Sequence, residues 1–380
     1  MLSTLRYCLV AYFFFPLIIA GTWVGGYWPL AYLLFAINMY VLVDNFTPPL
    51  TRIQTKREAP LNDLYLFLQV PLSALLLCIY LFKIRLMILG GAPLPGWAVL
   101  GFPLAPFSTI GETLAAGFAI GFHCGSNVVV AHEMMHRSST FWRACSRTLL
   151  VMTGDAQFQE AHLYGHHSAV GTLADPATAR RGEGFYRFLL RSTVGQWKEA
   201  YAFEQTRLRK EHGIAKWVKN RVLRGNAASL LLLGAVTWSC GLLGMTGYVI
   251  VMVITKAVLE SVNYIQHYGL TREPGSKVEP QHSWECASRG SSMYLFNLTR
   301  HAQHHAVPRK PYWELEVQPT PYRLPHGYML AIWIALIPRL WFRYADRLMN
   351  AAATRPPTTP TASSSSSSNV PAPDGTRILS

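Results

Sequence analysis

Residues 114–136 read LAAGFAIGFHCGSNVVVAHEMMH, an apolar run from Leu114 to Ala131 that ends directly in two histidines four residues apart. The run is close to the ~20 apolar residues that span a ~30 Å hydrocarbon core. Continued as a helix, it projects His132 and His136 from one face, one turn apart. A membrane helix that ends in a metal-ligand pair fixes the class of protein, and the rest of the chain follows that theme.

Five further apolar runs lie at Cys8–Trp23, Trp28–Phe46, Leu64–Leu81, Ala227–Leu243 and Tyr248–Ile265. The expected fold is an all-α integral membrane protein of about six spans, with residues 1–350 as one domain. Only 14% of the residues are charged, against about a quarter in soluble proteins. The first run follows Arg6 but has no clear small-residue cleavage site, and a second run comes at once, so it reads as an anchor. Met87–Ile110 is apolar but broken by four prolines, which predicts a re-entrant or interfacial segment. Tyr328–Phe342, interrupted by Pro338, is short for a span and reads as a buried or interface-lying helix. Residues 351–380 are rich in Ser, Pro and Thr and predict a disordered tail.

The net charge of +14 is membrane topology rather than a nucleic-acid signal. Fifteen Lys or Arg stand against seven Asp or Glu between Arg137 and Arg224, while the connections Val24–Tyr27 and Gly244–Gly247 carry no charge. The positive-inside rule puts the basic loop and both termini in the cytosol, with Arg52, Lys56 and Arg57 on the same side. The remaining basic excess suits anionic headgroups. Six scattered cysteines without a C-x-x-C spacing exclude a disulfide framework and a thiolate metal site built from this chain.

Nine of the thirteen histidines fall in four groups at the expected cytosolic ends of spans: HEMMH (His132, His136), HLYGHH (His162, His166, His167), NYIQHYG (His267) and RHAQHH (His301, His304, His305). Nine imidazoles exceed what one ion can hold, so two sites of four or five ligands are expected. Imidazole suits zinc, copper, iron and nickel, and spacing alone does not choose among them. HEMMH is also the zinc metalloprotease string, a reading that leaves seven histidines without a role. Of the other four, His123 is half a turn out of phase with His132, His212 lies in the charged RLRKEHG and His326 follows Pro325. His282, in PQHSWE, is a candidate for orienting a ligand or touching substrate.

Ligating imidazoles usually pass their second N–H to a carboxylate or carbonyl. Glu133, Glu160, Asp175 and Glu260 are the candidates. For Glu260 an i, i+4 pairing with Lys256 competes, and for Asp175 turn chemistry before Pro176.

These motifs resemble the alkane 1-monooxygenase family, within the membrane di-iron desaturases and hydroxylases. The resemblance runs from about Ala131 to Asp346 and rests on HEMMH, HLYGHHSAVGTLADP, NYIQHYGLTRE, QHSWE and LTRHAQHHAVPRKPYWEL. NYIQHYGL is similar to the extra histidine motif of the hydroxylases. The resemblance implies that the nine histidines hold two non-haem irons, with no catalytic residue beyond the metal site. It also implies O₂-dependent hydroxylation of an unactivated C–H bond in an apolar alkane or fatty acyl substrate. The chain departs from the family at Met135, where Gly is common, and at Glu285, where Asn is usual.

No flavin-type Gly-rich fingerprint and no clustered cysteines are present, so electrons are expected from a separate rubredoxin- or ferredoxin-type protein with its reductase. Arg207, Arg209 and Lys210 are candidate docking contacts. Desaturation, aromatic-methyl hydroxylation and oxidative decarboxylation are rival outcomes of the same chemistry. A membrane metal transporter or sensor is the rival of another class, but transporters place ligands near the bilayer midplane. The membrane is a bacterial inner membrane, or the endoplasmic reticulum in a eukaryote.

Overall fold

The computed structural model describes residues 2–51, 59–99 and 101–354. Arg52, Lys56 and Arg57, and the tail beyond residue 354, lie outside the described residues. The helix Pro338–Ala353 runs past the expected boundary at 350, as its alanines favour.

The N-terminal half is a set of long apolar helices: α1 (Leu2–Val24), α2 (Trp28–Phe46), α3 (Ala59–Ile88) and α4 (Ile110–Met135). The α1–α2 turn uses Gly25 and Gly26 at φ 89° and 57°, a region only glycine enters without cost. Lys83 reaches across from α3 and donates to the Trp23 carbonyl at 2.7 Å, satisfying an orphan acceptor at the end of α1. Thr109 caps α4 through the Glu112 amide, and Glu112 reaches back to the Ser108 amide.

Between α3 and α4 the segment expected to be re-entrant or interfacial forms a small antiparallel hairpin, Leu94–Val99 with Phe102–Leu104. The prolines bar a helix, and Gly101 at φ 83° closes the turn. Among the described residues the fold is therefore mostly, but not wholly, helical.

After α4 the chain folds back as α5 (Thr140–Met152), returns through 158–169, and crosses as α6 (Phe185–Arg207) to α7 (Arg221–His267). α7 reverses at Gly241 (φ 58°, ψ −163°). Ser229 donates to the Val151 carbonyl and Tyr248 to that of Met152, neighbours in sequence. Nineteen residues of straight helix would hold those two contacts ~28 Å apart. α7 is thus two antiparallel arms, and the reversal falls three residues before the uncharged Gly244–Gly247 connection. The returning arm packs on α4 along Gly117, Gly121 and Gly125. A Cβ on Gly121 would lie 2.8 Å from the Val251 carbonyl oxygen, and one on Gly125 2.3 Å from a Val258 methyl. Such small-residue seams let membrane helices approach closely.

Four helices among the described residues are long and apolar enough to cross a membrane: α2, α3, α4 and α7; the run Phe13–Val24 is shorter. The 328–342 stretch forms two helices, Gly327–Ala335 and Pro338–Ala353, with Tyr328 and Trp341 fully buried. Pro338 starts the second helix because it cannot continue the first. Asp44 accepts from the Ser291 amide and hydroxyl at 2.8 and 2.6 Å, which ties α2 to the segment before the last histidine group.

Candidate metal centre

The nine histidines converge in two clusters. His132, His136, His162, His167 and His304 form one; His166, His267, His301 and His305 form the other. Within each, the candidate ligand nitrogens all lie within 4.8 Å of one another. α4 delivers His132 and His136, and the returning arm of α7 ends at His267. His301–Ala306 sends His301 and His305, one turn apart, to the second cluster and His304 to the first.

The middle group depends on a local departure from α-helix. Ala161–His166 is a π turn. On an α-helix His162 and His167 would point ~140° apart. Closure from i to i+5 stacks them on one side, and their Nε2 atoms are 3.0 Å apart. His166 then turns to the other cluster.

The donor set fits metal ions. The Nε2 atoms of His136, His162 and His167 form a triangle with edges of 3.1, 3.3 and 3.0 Å. A neutral Nε2 is either a donor or an acceptor, so a triangle must join at least one pair of a kind; a shared cation satisfies all three. Its centre lies ~1.8 Å from each corner, and a small shift off that plane reaches the ~2.0–2.1 Å of a zinc–imidazole bond. In the second cluster His301 Nε2 is 2.9 Å from His267 Nε2 and 3.0 Å from His305 Nε2. The Nε2 atoms of His132 and His304 are buried with no hydrogen-bond partner. Burial first, and the crowd of imidazoles second, hold His162, His301, His304 and His305 well below the usual histidine range, and His167 at about 3. Such depression favours the neutral form of these five rings, the form that metal binding requires.

Two of the candidates named from sequence touch the clusters from outside. Asp175 accepts from His166 Nδ1 at 2.8 Å and is itself held by the Thr178 hydroxyl and the Ala177 amide. Although burial raises the Asp175 carboxyl, His166 and these donors hold it below the usual carboxylate range. His282 contributes its backbone carbonyl, 3.3 Å from His267 Nδ1, while its ring accepts from the Glu279 amide. In both cases the outer contact takes the Nδ1 proton and leaves Nε2 for a metal.

The other three carboxylates pair with cations instead. Glu133 binds Arg137 at 2.9 Å, Glu160 binds Arg147 at 2.6 Å, and Glu260 binds Lys256 at 2.8 Å and the Gln196 amide. A nearby guanidinium or ammonium outcompetes a neutral imidazole for a buried carboxylate. His123 bonds the Tyr32 hydroxyl at 2.9 Å, away from both clusters, and His326 bonds Asn45.

Two residues were not anticipated. Glu199 lies over Gly165, where a Cβ would come within 2.3 Å of its carboxyl carbon; burial, then Asp175, pushes it up to about 7. Glu285 accepts from the amides of Ala302 and Gln318 at 3.2 and 2.9 Å, and so seats the last histidine helix; burial pushes it to about 7. Glu199 sits in the ordinary-looking QWKEA, with no signal beyond helical phase, whereas Glu285 stood out as a departure from the family pattern.

A cleft of about 760 Å³ opens onto His136 and His167 and is lined by Arg137, Arg143, Arg147, Arg221, Arg224 and Arg309, with no carboxylate in its wall. Of the expected docking residues, Arg207 is tied to Glu204 and the Lys219 carbonyl, while Arg209 and Lys210 are exposed.

Comparison with known proteins gives a match to the fatty acid desaturase family over residues 109–317. The chain is 36% identical to alkane 1-monooxygenase 1 of Alcanivorax borkumensis over 264 residues, 67% of this chain and 64% of that one. It is 32% identical to alkane 1-monooxygenase 1 of Pseudomonas aeruginosa over 64% of each. It is 28% identical to the xylene/toluene monooxygenase hydroxylase component of Pseudomonas putida over 347 residues, 90% of this chain and 87% of that one. The match thus spans just under two thirds of the alkane 1-monooxygenases named here.

Proposed function

This chain belongs to the fatty acid desaturase family, and from that premise we propose that it is a membrane-bound di-iron monooxygenase. It hydroxylates an unactivated, terminal C–H bond of a medium- or long-chain alkane or a similar apolar substrate. The observation that carries this reading is the pair of all-imidazole clusters, five and four strong, where α4 and α7 end.

His132, His136, His162, His167 and His304 hold one iron, and His166, His267, His301 and His305 the other. When bound, the irons supply the redox chemistry with O₂, for which RH + O₂ + 2 H⁺ + 2 e⁻ gives ROH + H₂O. The protein positions, tunes and shields. Asp175 and the His282 carbonyl fix ring orientation.

Electrons come from a separate rubredoxin- or ferredoxin-type protein. The arginine cleft beside His136 and His167 suits its acidic face better than Arg207 does, because Arg207 is bound to Glu204 whereas Arg224 and Arg309 in the cleft have no carboxylate partner among the described residues. The charge asymmetry between loops supports a cytosolic site, in a bacterial inner membrane or the endoplasmic reticulum.

A second reading is hydroxylation of an aromatic methyl group. It is favoured by the likeness to the xylene/toluene monooxygenase component, which extends over 90% of this chain and takes in the N-terminal helices. Metal analysis of purified protein, with gas chromatography of products from reduced enzyme, O₂ and an octane-to-hexadecane panel plus xylenes, tests both. Two irons per chain and a primary alkanol support the first reading, and benzylic alcohol alone supports the second. Zinc without iron overturns both.

A further inference from the structure

α6 has an unpartnered apolar face at the level where the membrane ends. The arms of α7 give the height. Segment 155–156 touches both: Asp155 binds Lys256 at 3.0 Å, and Ala156 packs so close to Gly225 that a Cβ there would lie 2.6 Å away. Gly225 and Lys256 therefore stand level, and the uncharged run Ala227–Leu243 begins just beyond. That level is the edge of the hydrocarbon. α6 crosses there: Gln196 bonds Glu260, and Glu204 accepts from the Arg221 amide. Both contacts fall within ~6 Å of the edge along α7, the depth of the headgroup layer.

Along this crossing Tyr186, Leu190, Val194 and Trp197 are 55%, 71%, 53% and 39% exposed. At ~100° per residue they occupy one arc of about 80°, with Arg187 and Lys198 directly beside it. Phe188 and Ser192 on the opposite side are buried. The stripe continues onto the C-terminal helices, because the Tyr186 hydroxyl bonds the Leu336 carbonyl next to exposed Ile337 and Leu340.

We propose that α6 lies in the plane of the membrane as an interfacial helix, with the lipid bilayer as the occupant of this stripe. Aromatic and aliphatic groups sink to the acyl boundary while flanking cations meet lipid phosphate. The same helix backs the middle histidine group: Glu199 lies on Gly165, and Pro176 lies on Gly195. The bilayer surface thus supports the floor of the metal centre.

The test is spin-label accessibility in the full chain, reconstituted in phosphatidylcholine–phosphatidylglycerol bilayers with C8S and C78S already introduced. Labels at L190C and V194C are compared with one at K216C, a partly exposed lysine on the neighbouring helix Gly213–Lys219. The expected result is a several-fold higher ratio of oxygen to nickel-chelate collision at 190 and 194 than at 216. Equal water access at all three positions, or protection at 190 and 194 from both reagents, overturns the proposal, the latter pointing to a protein partner. Metal retention by each labelled protein establishes that it is folded, and W197C provides a third reading.

Discussion

Replacing Asp175 by Asn changes one oxygen to an amide nitrogen and should unload one metal site before the other. The Asp175 carboxylate, 2.8 Å from His166 Nδ1 and fully buried, takes the Nδ1 proton and leaves Nε2 as a lone pair. Asn keeps the shape. The Ala177 amide is a fixed donor and keeps the Asn oxygen at the Oδ1 place, so the NH₂ takes the Oδ2 place that His166 and the Thr178 hydroxyl share, and the hydroxyl turns to accept. A donor facing Nδ1 forces the ring proton onto Nε2, the atom a metal needs. Outer carboxylates of this kind change metal affinity by about 10–100-fold, or ~1.4–2.7 kcal/mol. The loss should fall on the cluster of His166, His267, His301 and His305, with the five-histidine cluster nearly unaffected. Chelator competition read by iron analysis measures this, with stoichiometry expected to drop from two towards one per chain. Asp175→Asn protein that keeps both irons within twofold of the native chelator midpoint would falsify the tautomer argument.

Glu285, held at about 7 against the usual value near 4.5, binds its proton more tightly when folded. Its contribution to stability is full below pH ~4.5 and is lost as pH rises to about 7, a change of up to ~3 kcal/mol; thermal unfolding from pH 5 to 8 should show a slope that Glu285→Gln removes. Lys256→Met strands Asp155 and Glu260 as buried carboxylates and should cost about 3–5 kcal/mol. Adding Glu260→Gln should recover part of that in the same melting assay, and a double variant no more stable than the single one contradicts the charge argument. Arg224→Glu with Arg309→Glu should raise KM for an acidic donor protein and flatten its salt dependence. Turnover with a small chemical reductant should hold steady, and an unchanged KM would move the docking site elsewhere.

The sequence made the histidines and apolar runs legible because both are strong periodic signals. Two ligand groups were also foreseeable from the number of imidazoles. Their assignment was not, since His166 and His167 part company only through a π turn that no residue type announces. Glu133, Glu160 and Glu260 all turn to nearby cations: Arg137 and Lys256 stand at i, i+4 spacing and are legible in the sequence, whereas Arg147 reaches Glu160 only through the tertiary fold. The reversal in α7 was expected near Gly244–Gly247 and occurs at Gly241, because the required backbone angle, not hydropathy, selects the turning residue.

The middle and last histidine groups each feed both clusters: adjacent residues 166 and 167 part to opposite sites, as do 304 and 305. The two sites therefore share their framework. An ion entering either one must first order the π turn and the short helix His301–Ala306, and the second ion then finds its rings already in place. The first ion to bind therefore lowers the ordering cost of the second, while each site keeps its own affinity. The same interleaving lets the ion in one site hold the shared frame after the other is lost, so the frame outlasts a single departure.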